Sequence, residues 1–452
     1  MTRTDVRPQD RAAGTFGSLR IPNYRRYAAG QVVSLVGTWM QRLAQDWLVL
    51  ELTGGSPVAL GVAAALQFGP VLALSLWAGV LADRMDKRRL LIVAQLALAT
   101  FALVLGVLDV TGAVTLWQVY ALCLLLGCAS AVETPVRQSF VVEMVGTAQL
   151  PNAVALNATT FNTARIVGPA VAGLAITAVG TGWLFLVNGL TFLASITALT
   201  RMDTAALHRV AAVPRRPGQL REGLRYIRGR ADVMLVLTLV FCVGTFGLNF
   251  YITLAIMARN VFHRGADSYG LLSTLLAAGT LTGAVLAARR SSRTGSASRA
   301  GSASRVGMAA EAGGDATAAT AGVDGGDDGD DAARRRVRLV VASAMVFGVL
   351  EAAVGLVPSY LAFGLMLVPT GAAALTFTTA ANSAVQLSVA PTMRGRVMAL
   401  YMLLFLGGTP LGGPLVGWLA AEFGGRAPVV AGGVVSFVAA AGCGLALRRA
   451  RS

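Results

Sequence analysis

Lysine is almost missing from this chain: of 38 basic residues only Lys87 is a lysine. A P-loop needs a Gly-Lys-Ser/Thr run, and Lys87 is flanked by Asp86 and Arg88, so nucleotide binding of that kind is excluded. Histidine is nearly as scarce. His208 and His263 fall in polar links and read as solvated loop residues, which excludes a histidine-built metal site. The four cysteines, Cys123, Cys128, Cys242 and Cys443, lie inside apolar runs without the paired spacing of extracellular disulfides, and read as reduced core residues. No Gly-x-Ser-x-Gly elbow occurs, charged residues make up only 13%, and no cofactor is called for. This is not an enzyme's inventory.

Apolar residues are plentiful instead, at 55% of 452 residues, with a mean hydropathy of +0.65. They gather in twelve runs of helix length, near 27–50, 57–82, 90–109, 115–134, 152–178, 183–200, 231–256, 268–288, 338–357, 360–382, 395–421 and 428–447. Each can cross about 30 Å of hydrocarbon at about 1.5 Å per residue. The pattern predicts an all-α integral membrane protein with twelve transmembrane helices in two six-helix, pseudo-symmetric halves.

Residues 1–24 read as a cytoplasmic tail, 25–200 as the first half, and 201–230, Arg-rich with Pro214 and Pro217, as a central cytoplasmic loop. The second half is 231–447, followed by a short tail, 448–452. A polar insert at 290–337 repeats Gly-Ser-Ala-Ser-Arg and turns acidic at Asp324, Asp327, Asp328, Asp330 and Asp331; it reads as disordered and cytoplasmic. Clustered aspartates invite a calcium reading, but no terminal Glu or flanking helices complete such a loop. Two echoes sit six runs apart. Leu81-Ala82-Asp83-Arg84 parallels Leu286-Ala287-Ala288-Arg289, and Gly168-Pro169 with Gly173 parallels Gly413-Pro414 with Gly417.

A net charge of +16 could mean nucleic-acid binding, but the distribution argues against it. With the N-terminus inside, only Arg259, Arg264 and Arg426 fall in outer loops, and Arg42 and Arg165 lie within helices. All other basic residues are cytoplasmic. That asymmetry is the positive-inside rule; it places both termini in the cytoplasm and makes the lipid bilayer, not nucleic acid, the partner.

Intramembrane charge costs at least about 2–3 kcal/mol per residue on insertion scales, so each case needs an account. In the first run Gln31, Thr38, Gln41, Arg42, Gln45 and Asp46 recur at helical steps and form one polar face. Arg42 and Asp46 are i,i+4 and can pair, either as a packing ion pair or as a titratable group lining a wet cavity. The fifth run carries Asn157, Asn162 and Arg165; the arginine has no acid within four residues and needs a partner on another helix or on a substrate. Glu351 is the one acid well inside the second half's runs, Asp232 standing at the very start of the seventh. Asn249, Asn382 and Gln386 read as interhelical hydrogen-bonding residues. At the inner ends, Asp83, Arg84, Glu133 and Arg137 can form a charge cluster, either structural or a latch.

One stretch orders the rest: Gly79-Val80-Leu81-Ala82-Asp83-Arg84, followed by Met85-Asp86-Lys87-Arg88-Arg89. It resembles the loop after the second span in the major facilitator superfamily. Trp39-Met40-Gln41, Trp47 to Thr53, Pro135-Val136-Arg137-Gln138, Asn152 to Asn157, Arg165-Ile166-Val167-Gly168-Pro169 and Arg394-Gly395-Arg396-Val397 resemble its bacterial exporter branch, related to siderophore exporters and macrolide efflux proteins. The resemblance implies export of a small amphipathic molecule, drug- or siderophore-like, across a bacterial cytoplasmic membrane by proton antiport and alternating access. It also implies an inner gate at Gly79, Asp83, Arg84, Glu133 and Arg137, and helix packing at Gly168, Pro169, Gly173, Gly413 and Pro414. Asp46, then Glu351, are the proton-coupling candidates; Arg42, Gln45, Asn157, Asn162 and Arg165 are the substrate or cavity candidates. One proton moving down 100 mV releases about 2.3 kcal/mol, enough for a gradient of about fiftyfold. A monomer is expected. Direction is not written in these residues, so nutrient uptake stays open, as does a non-transporting scaffold or sensor.

Overall fold

The computed structural model describes residues 16–208, 219–286 and 327–449. They form helices joined by short turns: α1 (Pro22–Leu52), α2 (Pro57–Arg84), α3 (Lys87–Val110), α4 (Leu116–Val179), α5 (Thr181–Thr200), α6 (Gln219–Arg228), α7 (Ala231–Cys242), α8 (Phe250–Ile256), α9 (Ala266–Leu286), α10 (Asp327–Leu356), α11 (Tyr360–Ser388), α12 (Pro391–Phe423) and α13 (Ala427–Arg449). Pro22, Pro57 and Pro391 open their helices at the first turn, where a missing N–H costs nothing. The Ser56 hydroxyl accepts from the Ala59 amide at 3.3 Å, and the Asp86 carboxylate from the Arg89 amide at 2.9 Å, which starts α2 and α3.

Ten helices among the described residues are long and apolar enough to cross a membrane, where the sequence led us to expect twelve. Two features account for the difference. The 64-residue α4 contains two of the expected runs, with helical geometry lost only at Gly146 (φ 68°, ψ 175°). That left-handed φ suits glycine, and the His208 amide donates to the Glu143 carbonyl at 2.8 Å beside it, satisfying a group the break exposes. The link expected at 135–151 is therefore almost wholly helical. The other feature is α1, 31 residues long but made less apolar by Arg25, Arg26, Arg42, Asp46 and Glu51.

Three other expectations shift. Part of the central loop is helical: α6 buries Ile227, and Glu222 accepts from Arg396 at 2.6 Å, holding α6 to the start of α12. The ninth run's helix begins at Asp327, inside the expected disordered insert, because aspartates suit a helix N-terminus. The rest of that insert, with Asp324 and the Leu286-Ala287-Ala288-Arg289 echo beyond Leu286, lies outside the described residues. Finally, the seventh run is not one helix. After α7 comes a π-helical turn, Val243–Gly247, where the Leu248 amide reaches back five residues to the Val243 carbonyl at 3.0 Å. After α8 comes a second such turn, Met257–Val261. Such turns leave backbone groups rearranged and often mark functional positions.

The chain divides into two compact units: Met1–Arg215 with Ala258–Thr274, and Arg216–Met257 with Leu275–Ser452. In the first, small residues let helices touch. A Cβ on Gly168 would strike Trp39 of α1, and one on Gly173 would stand 2.9 Å from the Ala266 carbonyl of α9. In the second, Gly408 and Gly412 of α12 press on the π-helical turn at Gly244 and Thr245. Gly413 and Pro414 follow in the same helix, Gly413 buried. Outward-facing apolar side chains such as Trp77, Trp117, Leu174 and Leu356 suit contact with lipid.

Candidate functional site

The polar face of α1 is mostly spent on neighbouring helices. Gln31 donates to Ser195 of α5 at 3.4 Å, and Asn188 of α5 donates to Gln41. Gln45 donates to Gln67 of α2 at 2.9 Å, while Thr38 bonds within its own helix to the Ser34 carbonyl at 2.8 Å. These bonds fix α1 between α2 and α5.

Asp46 is buried near the far end of this face. The Tyr269 hydroxyl of α9 donates to its Oδ2 at 3.0 Å. The Tyr269 ring stacks on Trp47 at 6.4 Å between centroids, and the Trp47 indole N–H donates to Glu51 at 2.7 Å. The Arg259 guanidinium lies 5.5 Å from the Trp47 ring, and Asn260 donates to the Gly55 carbonyl at 2.8 Å. Asp46 is thus the centre of a patch through which 258–274, a segment from the chain's second half, packs into the first unit.

Arg42, one helical turn before Asp46, has its guanidinium 5.0 Å from the Trp39 ring centroid and 5.1 Å from that of Phe68 on α2. Phe161 of α4 meets Trp39 edge-on at 5.6 Å. Arg165 lies one turn beyond Phe161 on α4, half-buried. Asn157 accepts from the Tyr24 hydroxyl at 3.0 Å, and Asn162 donates back to the Ala158 carbonyl of its own helix at 2.8 Å. The half-buried surface of α1, α2 and α4 therefore combines cations, aromatic rings and amides.

In the second unit Glu351 of α10 is buried at 3% exposure, and its Oε2 has no hydrogen-bond partner among the described residues. Glycines make room for the carboxylate. A Cβ on Gly247 would stand 2.9 Å from Glu351 Oε2 and 2.9 Å from Ser436 Oγ of α13, itself buried and unpartnered. One on Gly432 would stand 2.9 Å from Glu351 Oε1. Thr245 Oγ1 and Asn249 Oδ1, at the π-helical turn, are also buried without partners, although Asn249 donates to the Thr245 carbonyl at 2.7 Å. Gln386 and Asn382, expected to bond between helices, bond each other at 2.5 Å within α11.

At the helix ends expected to lie inside, Arg137 donates to Glu133 at 2.8 Å across one helical turn, and Tyr27 of α1 bonds Arg137. Lys87 pairs with Glu143 at 2.5 Å, tying α3 to α4. Arg84 is exposed at the end of α2. Gly79 and Asp83 lie on the last turns of that helix, and their side-chain surroundings fall outside the described residues.

Residues 13–314 and 333–451 match the family described as transmembrane secretion effector, which is nearly the whole chain. The chain belongs to that family. It is a major facilitator family member and a multi-pass membrane protein, and the curated proteins it resembles are transporters rather than enzymes. The transporter is 25% identical over 252 residues to the staphyloferrin A transporter of Staphylococcus aureus, covering 54% of this chain and 61% of that one. It is 30% identical over 146 residues to macrolide efflux protein A of Streptococcus pyogenes, covering 32% of this chain and 36% of that one. These alignments span less than two thirds of the curated relatives' length. In fold it is similar to a bacterial homologue of the human lysosomal transporter Spinster (TM-score 0.66, 14% identity, 94% of this chain and 97% of that one). It is likewise similar to the POT family transporter PepTSo (TM-score 0.68, 11% identity, 95% and 98%).

Reading the sequence alone missed Tyr269, Gln67, Phe68 and Ser436, and gave Trp47 no part beside Asp46. A lone tyrosine or serine in an apolar run carries no periodic signal. The Lys87–Glu143 pair was more accessible, since a single lysine at a helix start invites a search for its acid.

Proposed function

We propose that this transporter is a secondary active exporter of small amphipathic molecules, driven by proton antiport, in a bacterial cytoplasmic membrane with both termini inside. The observation that carries the reading is the buried Asp46 carboxylate taking its hydrogen bond from Tyr269. While Asp46 is ionised, a charge-assisted bond holds 258–274 in the first unit. A proton on Asp46 removes that charge and weakens the bond, so the segment is freer to leave. Proton binding is then linked to a conformational change, as coupled transport requires.

Arg42 and Arg165, with Trp39, Phe68 and Phe161, suit a substrate carrying both an anionic group and a flat apolar part. The names of the two relatives, a siderophore transporter and a macrolide efflux protein, fit that class. Glu351 is the second acid available for coupling, and the Glu133–Arg137 pair is the inner latch. The test is uptake of lipophilic dyes and antibiotics into inverted vesicles under an imposed proton gradient. Wild type accumulates at least one of them and Asp46→Asn none. Equal gradient-driven accumulation by both proteins removes Asp46 from the role.

A further inference from the structure

We propose that the inner end of the seam between α10 and α13 is a binding site for an anionic phospholipid. The two helices run antiparallel, and glycines draw them together over the outer part of the seam. A Cβ on Gly348 would stand 2.7 Å from the Gly433 carbonyl, and one on Gly355 3.0 Å from the Val430 amide. Toward the inner end the helices part. A Cβ on Gly444 would meet only the Val341 side chain, at 3.4 Å, an ordinary contact.

The parting leaves a cavity of about 590 Å³. Val341 and Met345 of α10 and Ala441 and Leu445 of α13 make an apolar wall, and Arg338 and Arg448 stand at the charged end. Both arginines are exposed, and neither is in an ion pair among the described residues. An apolar slot lined by two arginines and no acid among the described residues matches a lipid with acyl chains below and a negative headgroup above. A zwitterionic headgroup would bring a cation of its own against the arginines. With the termini inside, the site faces the leaflet where anionic lipids meet basic side chains.

The site's placement in the inner leaflet rests on the orientation proposed above; the binding itself does not. The experiment uses the full chain, purified and delipidated, titrated separately with phosphatidylglycerol and phosphatidylcholine. Retained lipid is read by native mass spectrometry and stabilisation by thermal unfolding. Wild type prefers phosphatidylglycerol on the order of tenfold, as expected from two arginines near a headgroup. The double variant Arg338→Gln/Arg448→Gln loses the preference, Arg338→Lys/Arg448→Lys keeps most of it, and Ala441→Leu, which fills the slot, lowers retention of either lipid. Equal retention of the two lipids by wild type, or undiminished preference in the glutamine variant, overturns the proposal. Outside labelling of a C-terminal cysteine would instead overturn the orientation while leaving lipid selectivity intact.

Discussion

Asp46 and Glu351 are buried acids on membrane-crossing helices, one in each unit, yet they are treated differently. Asp46 takes a hydrogen bond from Tyr269 at 3.0 Å, in a patch with Trp47 and Arg259. Glu351 Oε2 has no hydrogen-bond partner among the described residues, and neither has Ser436 Oγ beside it. The first acid is held by a segment that comes from the other half of the sequence, whereas the second sits among its own unit's glycines. A bonded acid can transmit its protonation to whatever bonds it. An unbonded acid costs stability that nothing nearby in the protein returns.

The contrast can be broken most forcefully at Asp46. Asp46→Asn is expected to reduce gradient-driven transport in inverted vesicles to the level of vesicles lacking the protein, with normal membrane yield. Tyr269→Phe tests the bond rather than the acid. Removing one charge-assisted hydrogen bond is worth about 1.5–3 kcal/mol, so transport should fall by about ten- to a hundredfold, and an unchanged rate would uncouple Tyr269 from the mechanism. Glu351→Met sharpens the other side. Replacing an unpartnered buried carboxyl with an apolar group of similar length should raise stability by about 1–3 kcal/mol, read as a higher midpoint in detergent; a lowered midpoint would show that the carboxyl is bonded after all. The smallest effect is expected at the Glu133–Arg137 pair, the proposed inner latch. Glu133→Gln leaves Arg137 without its ion pair at a cost of about 1–2 kcal/mol, less than for a fully buried pair, and should shift the accessibility of engineered cysteines nearby more than the maximal rate.

Much of the architecture could be read in advance, because hydrocarbon imposes helix-length apolar runs and leaves charge at their ends. Where the reading slipped, local geometry had overridden composition. Gly146 turns the chain within a single residue, so a link that looks polar on paper is helix on both sides. The π-helical turn at Val243–Gly247 lies in a run as apolar as its neighbours, the one at Met257–Val261 just beyond that run's end, and nothing in the periodicity announces either. The candidate site divides in the same way. Asp46, Arg42 and Glu351 stand out because charge in a span is rare. Their surroundings, Tyr269 and the Trp39–Phe68 pair around Arg42, depend on which helices meet, and a single sequence does not encode that pairing visibly. The i,i+4 rule served for Glu133 and Arg137; at Arg42 it was silent on the aromatic rings of Trp39 and Phe68 that flank the guanidinium.

The solitary lysine has a practical consequence. Lys87 is mostly buried and held by Glu143 at 2.5 Å where α3 meets α4. Among side chains, an amine-reactive reagent has one address on this protein. Its rate of acylation therefore reports the opening of one ion pair without mutagenesis or an introduced label, and a mass spectrometer can follow it through a transport cycle in native membranes.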